Sequence, residues 1–174
     1  SIMSFQLDSV QASDVNPVCE VKYIPLELTD NSLIGSIDKI LYRNKHFYIF
    51  DKSANMGILI FNENGKFIKA LYRVGEGPGE YIAPIDFDVD GSGNLYIADN
   101  ARQRIIKYSG NNFEQYEEMD LGCYFMEFAV IDKEHIVLSE IYNQGSVKDK
   151  LAVYSQKDKK VHPLLKSALT EIDE

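Results

Sequence analysis

"PIDFDVDGSGNLYIADNARQRIIKYS" runs from Pro84 to Ser109. Its first half alternates strictly. Ile85, Phe87 and Val89 are apolar, and Asp86, Asp88 and Asp90 stand between them. A period of two puts alternate side chains on opposite faces of an extended chain, so the pattern predicts a strand with one buried face. Asp-Gly and Ser-Gly-Asn follow, which is turn chemistry, and then two more short apolar runs, "NLYIADN" and "RIIKYS".

The same grammar extends outward in both directions. "KHFYIFD" covers Lys45 to Asp51, and "GILIFNENGKFIKAL" covers Gly57 to Leu71. "FYIFD" at Phe47–Asp51 matches "LYIAD" at Leu95–Asp99, and "IVLSE" at Ile136–Glu140 is a weaker third copy. Each copy leads through a polar loop to an apolar run ending in an aromatic, at Phe61, Tyr108 and Tyr154. That spacing of roughly 45 residues suits a four-stranded propeller blade. The second unit supplies its four strands as "IDFDVD", "NLYIADN", "RIIKYS" and "NFEQYEEM". The expected fold is therefore all-β, a β-propeller of four-stranded antiparallel blades. Blade one is placed at 33–72, blade two at 82–120 and blade three at 123–165. A linker covers 1–19, and a closing strand at 20–29 is read from "CEVKYIPLEL", Cys19–Leu28. Only the tail, with Leu164, Leu165, Ala168, Leu169 and Ile172, has helical spacing.

"GNLYIADNARQRIIKYS" resembles an NHL-type propeller repeat. Together with "LIGSIDKI", "IFNENGKFIKAL" and "GEGPGEY", it makes residues 20 to 160 similar to the six-bladed β-propeller proteins of the Bacteroidetes envelope, secreted or lipid-anchored and largely uncharacterised. The resemblance implies a periplasmic, envelope or secreted location. A six-bladed ring needs roughly 270 residues at this period, whereas the chain has 174. The expectation is about three blades here, with the rest of the propeller from a longer chain or from another copy.

Composition narrows the partners. The net charge of −9 argues against nucleic acid and anionic membranes, both of which need a basic face. No apolar run approaches the ~18 residues of a membrane span. Cys19 and Cys123 form no C-x-x-C pair, and two free thiols or one long-range disulfide are both compatible with the sequence.

Two motifs imitate ligand sites. "RVGEGPGEYIAP", Arg73–Pro84, is glycine-rich, but no Lys-Ser or Lys-Thr follows it and a strand comes next. It reads as a turn between blades, with Gly77 and Gly79 as the positions for positive φ. "DFDVDG", Asp86–Gly91, opens like a calcium loop, yet Ile97 stands where the bidentate Glu belongs. Three aspartates along a channel leave weak cation binding open. His46, His135 and His162 read as surface histidines, and G-x-S-x-G and His-x-x-x-His are absent. No catalytic residue, metal site or cofactor is nominated.

Loops on a rigid scaffold commonly carry function. Four antiparallel strands per blade bring the second-to-third-strand loops and the blade connections to one rim. That rim holds Asp51, Lys52 and Asn55, then Arg73, Glu76, Glu80 and Tyr81, then Asn100, Arg102, Gln103 and Arg104, and finally Tyr142 and Asn143. Asp51 and Asp99 end equivalent strands, where turn capping explains them as well as binding does, and Arg104 is placed to pair with Asp99. The expected function is a non-catalytic binding or scaffold module that recognises a protein, peptide or glycan on this rim. The alternative is a metal-dependent propeller hydrolase or lyase with an ion in the central channel.

Overall fold

The computed structural model describes residues 22–110, 112–143 and 146–167. Among these residues, twelve strands are arranged as three four-stranded antiparallel sheets, each in sequence order. The first holds β1 (Lys39–Arg43), β2 (His46–Asp51), β3 (Gly57–Asn62) and β4 (Phe67–Leu71). The second holds β5 (Pro84–Val89), β6 (Leu95–Asp99), β7 (Arg104–Tyr108) and β8 (Tyr116–Asp120). The third holds β9 (Glu127–Val130), β10 (His135–Asn143), β11 (Ser146–Ser155) and β12 (Lys160–Lys166). Among the described residues the helical structure is one 3-10 turn at Asn100–Arg102, and no helix is long and apolar enough to cross a membrane.

The turn residues explain the hairpins. Asn44 and Lys45 both have positive φ, as the two-residue turn from β1 to β2 requires. Asn62, Asp90 and Asp132 each accept backbone N–H groups two and four, or two and three, residues on, closing three more turns on this side of the sheets.

The sheets stack face to face in succession, a propeller-like arrangement. Tyr48, Phe50, Ile58, Ile60 and Leu71 of the first sheet meet Phe87, Val89, Leu95, Ile97 and Tyr108 of the second, with the Phe50 and Phe87 rings 5.7 Å apart. Tyr96, Ala98, Ile105 and Met119 on the other face of the second sheet meet Phe128, Val130, Ile136, Leu138 and Tyr154 of the third. The first strands of the sheets lie side by side and are stitched by side chains. Lys39 donates to Asp86 (2.7 Å) and to the Phe87 carbonyl (2.8 Å). Asp86 accepts the Phe128 N–H (3.1 Å), and Asp88 accepts the Val130 N–H (2.8 Å).

Four expectations are corrected. Asp86 and Asp88 do not lie on an open face but are 5% and 7% exposed, because the third sheet covers them and its N–H groups use their carboxylates. Residues 22–29 form no strand. Glu27 instead bonds to the Gly65 carbonyl and the Phe67 N–H at one end of the first sheet. Residues 20 and 21 lie outside the described residues. Leu164 and Leu165 belong to β12, while Ala168, Leu169 and Ile172 lie outside the described residues. Of the two glycines expected at positive φ, Gly79 has it (φ +68) and Gly77 does not.

Candidate functional site

The glycine-rich connection is a built part of the second sheet. Gly75 donates to the Tyr81 carbonyl, Glu80 to the Gly77 carbonyl and Tyr81 to the Arg73 carbonyl. Gly77 donates to the Glu80 carboxylate (2.8 Å) and Gly79 to that of Glu118 (3.0 Å). These five N–H groups are committed within the protein, two of them to carboxylates, so a phosphate has no free cradle here. Tyr81 is fully buried. Its hydroxyl accepts the Arg73 N–H and donates to the Leu71 carbonyl, and burial pushes its pKa up to about 12.

Arg104 holds this connection in place. Its guanidinium bonds to Asp99 through Nε (3.3 Å) and Nη2 (3.2 Å), and also to the Glu118 carboxylate and the Glu80 carbonyl. Asp99, itself fully buried, accepts the N–H groups of Ile82 and Ala83, which lead into β5. Asp51 repeats that role in the first sheet. It is fully buried and accepts the N–H groups of Gly35 (2.7 Å), Ala54 (2.9 Å) and Ser53 (3.0 Å), along with the Ser36 hydroxyl. Burial alone would raise its pKa, but these hydrogen bonds outweigh burial and hold it at about 2.

Most of the other rim residues are engaged in the same way. Asn55 donates to the Leu33 carbonyl and to Asp51. Arg73 donates to the Phe113 carbonyl, and Arg102 to that of Glu76. Gln103 takes the left-handed conformation, and its carbonyl accepts the Leu121 N–H. Asn100 donates its N–H to Ala83, while its Oδ1 is buried without a partner among the described residues. Tyr142 pairs its backbone with Tyr124, and its hydroxyl donates to Glu140. Asn143 ends β10, and its side chain lies outside the described residues.

Of the thirteen nominated residues, Lys52 alone lines a cleft of about 970 Å³ among the described residues. This cleft opens where the three sheets converge. The first sheet contributes Asp38, Lys39 and Lys52; the second Ile85 and Asp86; the third Met126, Glu127, Ser139, Glu140 and Lys150. Asp38 accepts the Lys52 N–H and the Ser36 hydroxyl, and the first of these bonds leads in lowering its pKa. The Lys52 ammonium lies 5.4 Å from the Phe50 ring centre. The side chains of Lys150 and Glu127 make no hydrogen bond or ion pair among the described residues.

The sequence carried a signal for this cleft that the rim argument missed. Lys39, Asp86 and Glu127 occupy one equivalent position, opposite Phe50, Ala98 and Ser139 in the register of their sheets. Aligning the three copies beyond the second strand would have found one charged residue per sheet at the same height. Among the described residues there is no group of three or more His, Cys, Asp or Glu side chains placed to hold a metal ion.

No curated protein matches the chain. Among solved structures, it is similar to a protein of Bacteroides fragilis named as a candidate exported protein, with 22% identity and a TM-score of 0.75 over 91% of this chain and 45% of that one. It is also similar to a member of the DUF4221 family from Bacteroides vulgatus, with 16% identity and a TM-score of 0.59 over 82% and 46% of the two chains. Hydrazine synthase of Kuenenia stuttgartiensis shares the fold at 9% identity and a TM-score of 0.53, over 82% and 40%. The chain thus spans less than half the length of each of these proteins, and at these identities the likeness concerns the fold alone. A family model matches residues 6–171, and the chain belongs to that family, DUF4934, a domain of unknown function.

Proposed function

We propose that this chain is a non-catalytic binding module whose axial cleft and surrounding loops recognise an extended peptide or protein segment carrying charges of both signs. The observation behind this reading is the cleft itself: about 970 Å³, bordered by all three sheets, with Lys52 beside the first sheet and Glu127, Glu140 and Lys150 on the third. A glycan fits less well, because the aromatic rings at the cleft, Phe50 and Phe128, are 0% and 5% exposed and offer no platform for stacking.

In the same reading the three sheets are half of a six-bladed, NHL-like ring, completed by further sheets from a longer chain or from another copy. The solved relatives, about twice the length this chain covers, support it. A periplasmic, envelope or secreted location is consistent with the name of the Bacteroides fragilis relative. Binding of the purified chain to an array of mixed-charge peptides, with glycans printed alongside, tests the site. Peptide binding should fall at least about tenfold in Lys52→Glu/Lys150→Glu. Unchanged binding in that variant, or capture of glycans alone, overturns the reading.

A further inference from the structure

The two junctions between sheets are built on one plan. The register pairs Phe61 with Phe47, Tyr108 with Leu95 and Tyr154 with Ile136, so the three aromatics hold one position. Lys69 and Glu117 are likewise equivalent, in rows led by Tyr48 and Tyr96. Arg73 and Leu121 lie four residues beyond them. Phe113 and Lys159 also match: both have positive φ, and they donate to the Ser109 and Ser155 carbonyls. A groove opens beside the last strand of the leading sheet at each junction. It measures about 530 Å³ beside β4 and about 460 Å³ beside β8.

In the first groove the chain supplies its own cations. The Lys69 ammonium lies 3.8 Å from the Phe113 ring centre. The Arg73 guanidinium lies 5.7 Å from the Tyr108 ring centre and donates to the Phe113 carbonyl. Tyr108 is fully buried, and its hydroxyl donates to the Gly79 carbonyl (2.9 Å). Burial pushes the Tyr108 pKa up, and Arg73 and Arg104 oppose the rise.

In the second groove Glu117 stands for Lys69, Lys159 for Phe113 and Leu121 for Arg73. The connection is the shorter segment 121–126, against 72–83 in the first. Tyr154 is 3% exposed and lines the groove, yet its hydroxyl makes no hydrogen bond among the described residues. Gln156 lines it too, and its buried Nε2 also lacks a partner there. A buried polar group without a partner calls for one. Burial leads in raising the Tyr154 pKa, and the carboxylates of Glu117, Asp120 and Asp158 add to the rise. Lys159 is exposed, and neither it nor Lys107, opposite Glu117 in the ladder, forms an ion pair among the described residues. Residues 1–21 and 168–174 contain no Lys or Arg, so those segments bring no such cation to the groove.

We infer that this second groove binds the guanidinium of an arginine presented by a peptide. The group takes the place that Arg73 fills one junction earlier, and donates to the Glu117 carboxylate and the Tyr154 hydroxyl. A planar, forked donor can reach both acceptors at once. The Gln156 amide then donates to a carbonyl of the same peptide. The groove shares no lining residue with the axial cleft, so the inference does not rest on recognition there.

Titration of the isotope-labelled protein with acetyl-Gly-Arg-Gly-amide, followed through amide chemical shifts, tests the site. Saturable shifts should appear at Leu121, Gly122 and Lys159. The citrulline counterpart, similar in shape but neutral, should bind more than about tenfold more weakly, and Glu117→Gln should weaken the arginine peptide by a similar factor. Tyr154→Phe should weaken it by about threefold, and Lys159→Gln should tighten it by removing a competing cation. Agmatine carries the guanidinium without a carbonyl and should bind more weakly than the peptide. Absence of saturable shifts overturns the inference, as do equal binding of the arginine and citrulline peptides and undiminished binding in Glu117→Gln. Shifts at Met126, Ser139 and Lys150 instead would mean binding in the axial cleft and overturn it too. Agmatine bound as tightly as the peptide would overturn the peptide as the source of the group.

Discussion

The second and third sheets are built from the same repeat, yet they stand in different surroundings. The second is covered on both faces, and every residue of β6 is buried. Among the described residues the third is covered on one face, and β12 is exposed along almost its whole length. The difference extends to the ends of their second strands. In the second sheet, Asp99 closes the strand and is tied by Arg104 to the incoming connection. In the third, Glu140 holds the equivalent place at positive φ (48°), exposed, and the strand runs on to Asn143. A repeat thus keeps its ladder without keeping its contacts. Buried polar ties of the Asp99 kind form where a second layer excludes water and leaves backbone donors in need of partners.

The largest effect should come from truncating the covered core. Phe87→Ala removes a fully buried ring packed against Phe50 and should cost about 3–5 kcal/mol in urea denaturation. Val153→Ala, half-buried on the other face of the third sheet, should cost less than about 1 kcal/mol. Similar losses at the two sites would break the contrast between the sheets.

A smaller effect is expected at the connections. A Cβ at Gly79 meets the Tyr116 ring at 2.7 Å with φ at +68, so Gly79→Val should cost about 3 kcal/mol. Gly122, leading into the third sheet, has φ +63 but no atom within 4 Å, and Gly122→Ala should cost only the ~1–2 kcal/mol of the left-handed conformation. Melting temperatures of the two variants, read against wild type, check the order.

The smallest effect depends on pH. Asp51 has its pKa depressed to about 2, so it contributes stability above its unfolded value of ~3.9, and that contribution is lost as pH falls toward 2. Asp51→Asn should cost about 2 kcal/mol at pH 7 and much less near pH 2. Acid titration of Asp51→Asn against wild type checks this, and a difference between the two that persists undiminished to pH 2 would overturn it.

Much of the fold was legible in the chain. The alternation from Pro84 to Val89 and the turn residues at Asn62–Gly65 and Asp90–Asn94 locate strands and hairpins, because they act over a few residues of backbone. The candidate site was less legible. Asp51, Asn55, Arg73 and Arg104 look like rim groups free to bind a ligand, but each is engaged by backbone groups distant in sequence. Lys39, Asp86 and Glu127 looked unrelated until the register put them at one height.

By itself, the sequence determined the strand periodicity, the turns, the grouping into four-stranded antiparallel units and the acidic character of the chain. All of these follow from local backbone preference and the period of two. The tertiary structure alone decided which of the two faces of each strand is covered. A period of two says which side chains share a face, but whether water or another sheet lies against it depends on packing between units. That packing is why Asp86 and Asp88 are buried and bonded, while Glu127, at the same position one sheet later, is exposed.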